Sequence, residues 1–456
     1  MHQSYSNVER CSGIGFGIGE RLIDEYLTTR SLSSHLVVIP TTRSAKKSQE
    51  TIDGLRKHAK EFAATSEILR SRGGPNYDPK QTTRRVHILS VQLDLCNLPS
   101  VRRAAAQLVS GTLTSHSEDD DFVSLGEVRI PRLDSVIFNA GIGGWYGLDW
   151  PKVFHNVMTK GLVNATTWPT FKGALSGQLI EPINGGKGNG SPHMGEVFCA
   201  NLFGHYVFAQ RLVPLMARPG NSTLPPSRII WESSVEGDWE SFTPDDFEAI
   251  KSNAAYESTK RLTDVLALTS TLPASKPYVD KYLSTGEQPA GTQPSTPPKI
   301  YLVHPGIVQT TLFPLNAFMF FWYNVVLYVA RWLGSPWHPI TAYNGACAPV
   351  WLALQEQGWL DGAHAERVKW GTSTDFWGEC RVKKTEVDGW GWEGKVEEMR
   401  ALKQEHKLRG RKPGVADVTE ERLVEFKELG ANCWKTMEEL REQWENRVDV
   451  TERLQS

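Results

Sequence analysis

SRIIWESS (residues 227–234) is a short β-branched and aromatic run that stops on a polar pair. Four more runs share its form, namely HLVVIP (35–40), RRVHILSVQL (84–93), LDSVIFNAG (133–141) and KIYLVHPG (299–306), each ending in polar or glycine-containing residues. These are short apolar runs of strand length, separated by stretches with helical texture. That pattern predicts an α/β fold, a doubly wound parallel sheet covered on both faces. In such sheets ligands bind at the carboxyl ends of the strands, which directs attention to the polar residues closing each run.

Composition narrows the function classes. The chain has 456 residues, with 50 Lys and Arg against 52 Asp and Glu, so a formal charge of −2 offers nucleic acid no electrostatic attraction. Six cysteines with no CxxC pair fit reduced thiols better than disulfides or zinc ligands. The opening MHQSYSNVERC lacks the apolar core of a secretory signal, so the catalytic part is expected to face the cytosol.

Stretches 71–82, 112–126, 160–195 and 272–298 are rich in Gly, Pro, Ser, Thr and other polar residues and read as surface insertions, with 176–195 a loop and 284–298 disordered. Residues 312–333, LFPLNAFMFFWYNVVLYVARWL, are interrupted by Pro314, Asn316 and Asn324, and their unbroken apolar pieces fall short of the roughly 20 residues needed to span a bilayer. They read as an interfacial or re-entrant helix, with Trp322, Tyr323, Tyr328 and Trp332 at headgroup depth, or as a buried helix beside a substrate mouth. The expected organisation is a domain over 1–310, the apolar segment over 311–355 and a charged C-terminal extension over 356–456, in which 418–447 reads as a solvated helix.

Chemistry concentrates in Tyr256-Glu-Ser-Thr-Lys260, because a spacing of four stacks both side chains on one helix face. A neighbouring ammonium favours the phenolate, so Tyr256 can deliver a proton to a carbonyl oxygen. Ser234, at the end of its strand, is placed to hydrogen-bond that oxygen. Asn201 opens a predicted helix and is a candidate holder of a relay water. Gly13-Ile14-Gly15, in a glycine-dense turn before a helix, suits a pyrophosphate on backbone amides. Arg43, just past HLVVIP, stands where a cation accommodates a 2′-phosphate, or is an ordinary surface arginine. Asp94 ends the next strand, where it can face an adenine, and Asn139-Ala140-Gly141 closes the run at 133–141, where small residues allow close approach.

In this order the pieces resemble the short-chain dehydrogenase/reductase superfamily over about residues 10–310, down to Pro305-Gly306-Ile-Val-Gln-Thr310. The resemblance implies a Rossmann-like sheet, NADPH as cofactor and a catalytic Asn201, Ser234, Tyr256 and Lys260 set. It also implies that Lys260 holds the nicotinamide ribose and that Thr310 touches the carboxamide. Within the superfamily, the insertions, GFGIGERL and ARWLGSPWHP look like the fungal 3-ketosteroid reductases of sterol biosynthesis. That likeness implies a 3-keto sterol substrate arising in C-4 demethylation, other sterol enzymes as partners, and a location at the endoplasmic reticulum membrane or lipid droplet.

One departure stands out. The superfamily opens with a strand followed by TGxxxGxG, and aligning Gly13 and Gly15 with its last glycines puts Val8 and Glu9 on the Thr-Gly pair, with no first strand before them. An altered or misassigned start, or a diverged protein with weak cofactor binding, accounts for this. Two other readings share the same residues: a reductase of another lipid or secondary-metabolite ketone, and a catalytically weak scaffold for sterol enzymes.

Overall fold

A computed structural model describes the chain except residues 1–12, 116, 118, 187–191, 287–294, 311–315, 399–402, 404–407 and 456. Its principal elements in chain order are α1 (Ile14–Thr29), β1 (Leu36–Val38), α2 (Ala45–Thr65), β2 (Val86–Ile88), α3 (Leu98–Val109), β3 (Ser135–Phe138), α4 (Gly204–Met216) and β4 (Arg228–Glu232). They continue with α5 (Ala255–Thr269), β5 (Lys299–His304), α6 (Ala317–Trp332), α7 (Cys347–Leu354), β6 (Lys369–Thr374), β7 (Cys380–Thr385) and α8 (Glu420–Gln455).

All five apolar runs contain strands, and every strand pairing among them is parallel. A five-stranded sheet runs β7-β6-β5-β4-β3, with only β7 antiparallel. Alternation sorts its side chains onto two layers. Ile229, Trp231, Ile300 and Leu302 pack on one side with Phe208 and Leu212 of α4 and Leu262 and Leu266 of α5. Ile230, Tyr301 and Val303 pack on the other with Ala348 and Leu352 of α7. Fully covered strands leave no polar face, which is why these runs read as unbroken apolar stretches.

The single doubly wound sheet expected from the sequence is instead broken into pieces. β1 and β2 form a separate parallel pair, Leu36 opposite Val86. Helix α1 joins the pieces by packing, because Ile23 and Leu27 bury against Leu36, Val86 and Ile88 while Ile18 buries beside Ala346, Val350 and Ile137. Apolar contact with a shared helix thus replaces a continuous hydrogen-bond ladder. The N-terminal departure, with Val8 and Glu9, lies outside the described residues.

Two expectations need correction. The region 356–456 is not an appended extension, because β6 and β7 complete the main sheet and α8 buries Phe426, Trp434, Met437 and Trp444 in its core. Its alternating charges mark only the outer face of a helix that has a buried one. The insertions are not wholly superficial either. Ile180 and Met194, from the segment read as a loop, pair as antiparallel partners and join the core, as does Tyr282. The apolar run behaves as expected in one respect: α6 carries its residues 317–332, and no helix among the described residues is long and apolar enough to cross a membrane. Of the cysteines, the five described are unpaired, and no cluster of metal-binding type occurs among the described residues.

Candidate active site

The end of β4 and the start of α5 meet at one point. The Ser233 amide continues the sheet by donating to Val303 O at 2.7 Å, and its hydroxyl donates to Lys260 O at 3.2 Å, so the serine pair is docked on the helix. Tyr256 lies in the first turn of α5 and Lys260 one turn later, with the ammonium 5.5 Å from the phenol ring centroid. The helical spacing therefore delivers the predicted pairing. Ser234, on the neighbouring loop, hydrogen-bonds the Tyr256 hydroxyl and favours its ionised form. Burial outweighs that contribution and, with Glu236, Glu257 and Glu232 nearby, pushes the phenol above its ordinary value.

Lys260 is buried, and its ammonium donates to Glu232 O at 2.8 Å. Burial depresses it to about 8, against the attraction of Glu232 and Asp264 and with the help of the like charge on Lys369. Glu232 itself is pushed up to about 7 by burial, opposed by a hydrogen bond from the Asn139 side-chain amide and by Lys260. Its Oε1 is buried without a hydrogen-bond partner. The sequence reading missed this carboxyl, although the sole charge before the serine pair of an otherwise apolar strand tip was a usable signal.

Asn139 also connects the site to α1. A Cβ on Gly15 would lie 2.9 Å from Asn139 Oδ1, so glycine here lets the start of α1 approach the end of β3 without displacing the Asn139 side chain. Gly13 is the N-cap of α1, its carbonyl accepting from the Phe16 and Gly17 amides, with Ile14 the first helical residue. Gly15, Ala140 and Gly141 are exposed on this side. Asn201 is not at a helix opening as expected but in a π-turn, Cys199–Phe203, inside a helix continuing into α4. Its side-chain oxygen accepts from the Ile142 amide at 2.7 Å and its amide donates to Ile142 O at 2.9 Å, so it clamps the loop after Gly141.

The remaining expected residues sit at strand ends but outside this network. Arg43 is exposed beyond β1, and the half-buried Asp94 accepts from the Cys96 amide at 3.0 Å. Pro305 follows β5, Gly306 adopts φ +74° against Trp337 and Thr372 carbonyls, and Thr310 is half-buried. Among the described contacts, none joins Arg43, Asp94 or Thr310 to Tyr256.

These residues fit a nicotinamide cofactor. Glycine closes the gap between α1 and β3, small accessible residues border it, and a buried orphan carboxyl oxygen beside Lys260 is suited to a hydroxyl donor. A cavity of about 610 Å³, walled by Trp145, Lys172, Glu236, Trp239 and Glu257, adjoins the site, with Ser234, Tyr256 and Lys260 outside its wall. Trp145 packs on Tyr256 at 4.9 Å between centroids.

Comparison with known proteins decides the family. The 3-keto-steroid reductase ERG27 of Gibberella zeae is 48% identical over 96% of this chain and 93% of its own length. The chain belongs to the 3-keto-steroid reductase family. It is a reductase of the short-chain dehydrogenase/reductase type. The 3-keto-steroid reductase erg27 of Aspergillus fumigatus is 39% identical over 97% of this chain and 94% of its own length. That of Saccharomyces cerevisiae is 25% identical over 83% and 89%. No family model matches the chain. A solved short-chain dehydrogenase/reductase of Serratia marcescens, a doubly substituted mutant, aligns over 78% of this chain and 89% of its own at 14% identity and a TM-score of 0.34, too remote to carry argument. As a 3-keto-steroid reductase family member, the chain places Ser234, Tyr256 and Lys260 together as the sequence order implies.

Proposed function

We propose that the chain reduces the 3-keto group of a sterol intermediate of C-4 demethylation to the 3-hydroxyl, using NADPH. The observation that carries this reading is the Ser234, Tyr256 and Lys260 cluster in a chain so similar to named 3-keto-steroid reductases. NADPH, when bound, supplies the hydride that the carbonyl carbon gains.

The chain's own groups manage the oxygen. Ser234 hydroxyl donates to the carbonyl oxygen as negative charge grows there, and Tyr256 hydroxyl gives it a proton, completing the C–OH. Lys260 stabilises the phenolate that remains and offers its ammonium to a ribose. Asn201 fixes the loop through Ile142 that borders the cofactor side. Gly13, Ile14 and Gly15 offer the start of α1 to a pyrophosphate, and Arg43 offers its charge to a 2′-phosphate.

The location we propose is the surface of the endoplasmic reticulum or a lipid droplet, beside other sterol enzymes and with the catalytic part facing the cytosol. What supports it is an aromatic surface. Phe318 (72% exposed), Phe321, Trp322, Trp332 and Leu333 of the α6 region lie open, and Trp332 continues at 6.5 Å to Phe376, next to Trp377 (83% exposed). Open aromatics on this scale mark an interaction site, and a headgroup layer suits them.

The test is Tyr256→Phe. It should abolish reduction of a 3-keto sterol while leaving NADPH binding largely intact, and retained turnover would overturn the assignment. NADPH against NADH titration of the wild-type chain and of Arg43→Ala checks the cofactor choice.

A further inference from the structure

Lys172 has no assigned role, yet it is nearly buried beside the proton donor. It sits on a hairpin formed by Trp145–Leu148 and Lys172–Ala174, within an insertion remote in sequence from Tyr256. Its ammonium pairs with two carboxylates, Glu236 from the loop after β4 and Glu257 from α5. Its side chain is 4% exposed, against 13% and 15% for those partners. The same ammonium lies 4.5 Å from the Trp145 ring centroid and 5.2 Å from that of Tyr256, close to the 5.5 Å separating Lys260 from the Tyr256 ring. Tyr256 is thus flanked by two cations, one on its own helix and one on the insertion.

We infer that Lys172 is a positioning residue for the reduction, offsetting part of the charge of Glu236 and Glu257 so that the Tyr256 phenolate forms more readily. The inference rests on the reading of Tyr256 as proton donor. Two carboxylates beside a phenol oppose its ionisation, and a buried cation shared between them reduces that opposition. The charged or titratable groups facing Tyr256 are Glu257 and Lys260 of α5, Glu232 at the end of β4, Glu236 of the following loop and Lys172 of the hairpin. Glu236 also reaches Tyr323 of α6, whose phenol it helps push up after burial, so the carboxylate is felt on both sides. Lys172 itself is held above its ordinary value because the two carboxylates outweigh burial, so it stays charged across the working range.

The experiment follows the reverse reaction, oxidation of a 3-hydroxy sterol with NADP⁺, where the phenolate acts as base and the rate climbs with pH as Tyr256 ionises. Lys172→Met should move that climb upward by about one pH unit or more, a rate about tenfold lower at fixed pH below it. Lys172→Arg should keep the wild-type profile, and Lys172→Met with Glu236→Gln and Glu257→Gln should bring it back. Should the methionine variant fail to fold, Glu236→Gln with Glu257→Gln on the intact lysine should move the climb downward. An equal loss of rate at every pH, or an unmoved profile in both sets, overturns the inference. Tyr256→Phe in the same assay separates the two readings, because turnover retained by that variant refutes the proton donor itself.

Discussion

The ammonium of Lys260 donates to the carbonyl of Glu232 at 2.8 Å, so the lysine that supports Tyr256 is anchored to the residue whose own carboxyl sits beside it. Both groups titrate close to neutrality, the carboxyl at about 7 and the ammonium at about 8, each displaced by burial.

This pair predicts the alkaline side of the pH profile. Lys260 loses its charge as pH rises through about 8, and Glu232 is one of the charges holding it up. Removing that charge with Glu232→Gln should lower the ammonium's pKa further and move the alkaline fall of kcat/KM for ketone reduction to lower pH. Rates measured over about pH 6 to about pH 10 for both forms read this directly, and a fall shifted to higher pH contradicts it.

A second buried pair governs stability. Lys369 of β6 reaches Asp264 of α5 at 2.6 Å, with side-chain exposures of 3% and 0%. Lys369→Met strands a carboxylate in the core and should cost about 3–5 kcal/mol in urea unfolding. Adding Asp264→Leu should restore most of the loss, since the uncompensated charge then disappears. A small loss in the single variant would mean that water already reaches the pair.

Membrane docking is tested on the open aromatics. Trp322 is 52% and Trp377 83% exposed, and burying such a ring in a headgroup layer contributes about 1.5–3 kcal/mol. Trp322→Glu with Trp377→Glu should therefore cut co-sedimentation with phosphatidylcholine vesicles about tenfold or more, at unchanged circular dichroism. Undiminished sedimentation removes these residues from the docking surface.

Much of the molecule is legible in the chain. HLVVIP, RRVHILSVQL, LDSVIFNAG, SRIIWESS and KIYLVHPG all hold strands, as short β-branched runs favour, and in SRIIWESS and KIYLVHPG cover on both faces explains the unbroken apolar stretch. Tyr256 and Lys260 are equally legible, since a spacing of four within one helix sets their relation before any folding is known. Less legible are β6 and β7, whose KWGTST and CRVKKT are mostly polar although they occupy the main sheet. Their polar groups are absorbed by specific partners, as when Thr372 donates to Gly345 O and Lys369 pairs with Asp264.

The sequence by itself determined the parallel α/β character, the strand ends where chemistry gathers and the Tyr256 and Lys260 pair, because each depends on local periodicity. Only the tertiary structure decided that the sheet is split around α1, that Glu232 lies against Asn139 and Lys260, and that Lys172, 64 residues before Glu236, reaches the proton donor. Such meetings are set by how distant elements pack, and no repeat of side chains along one element encodes them.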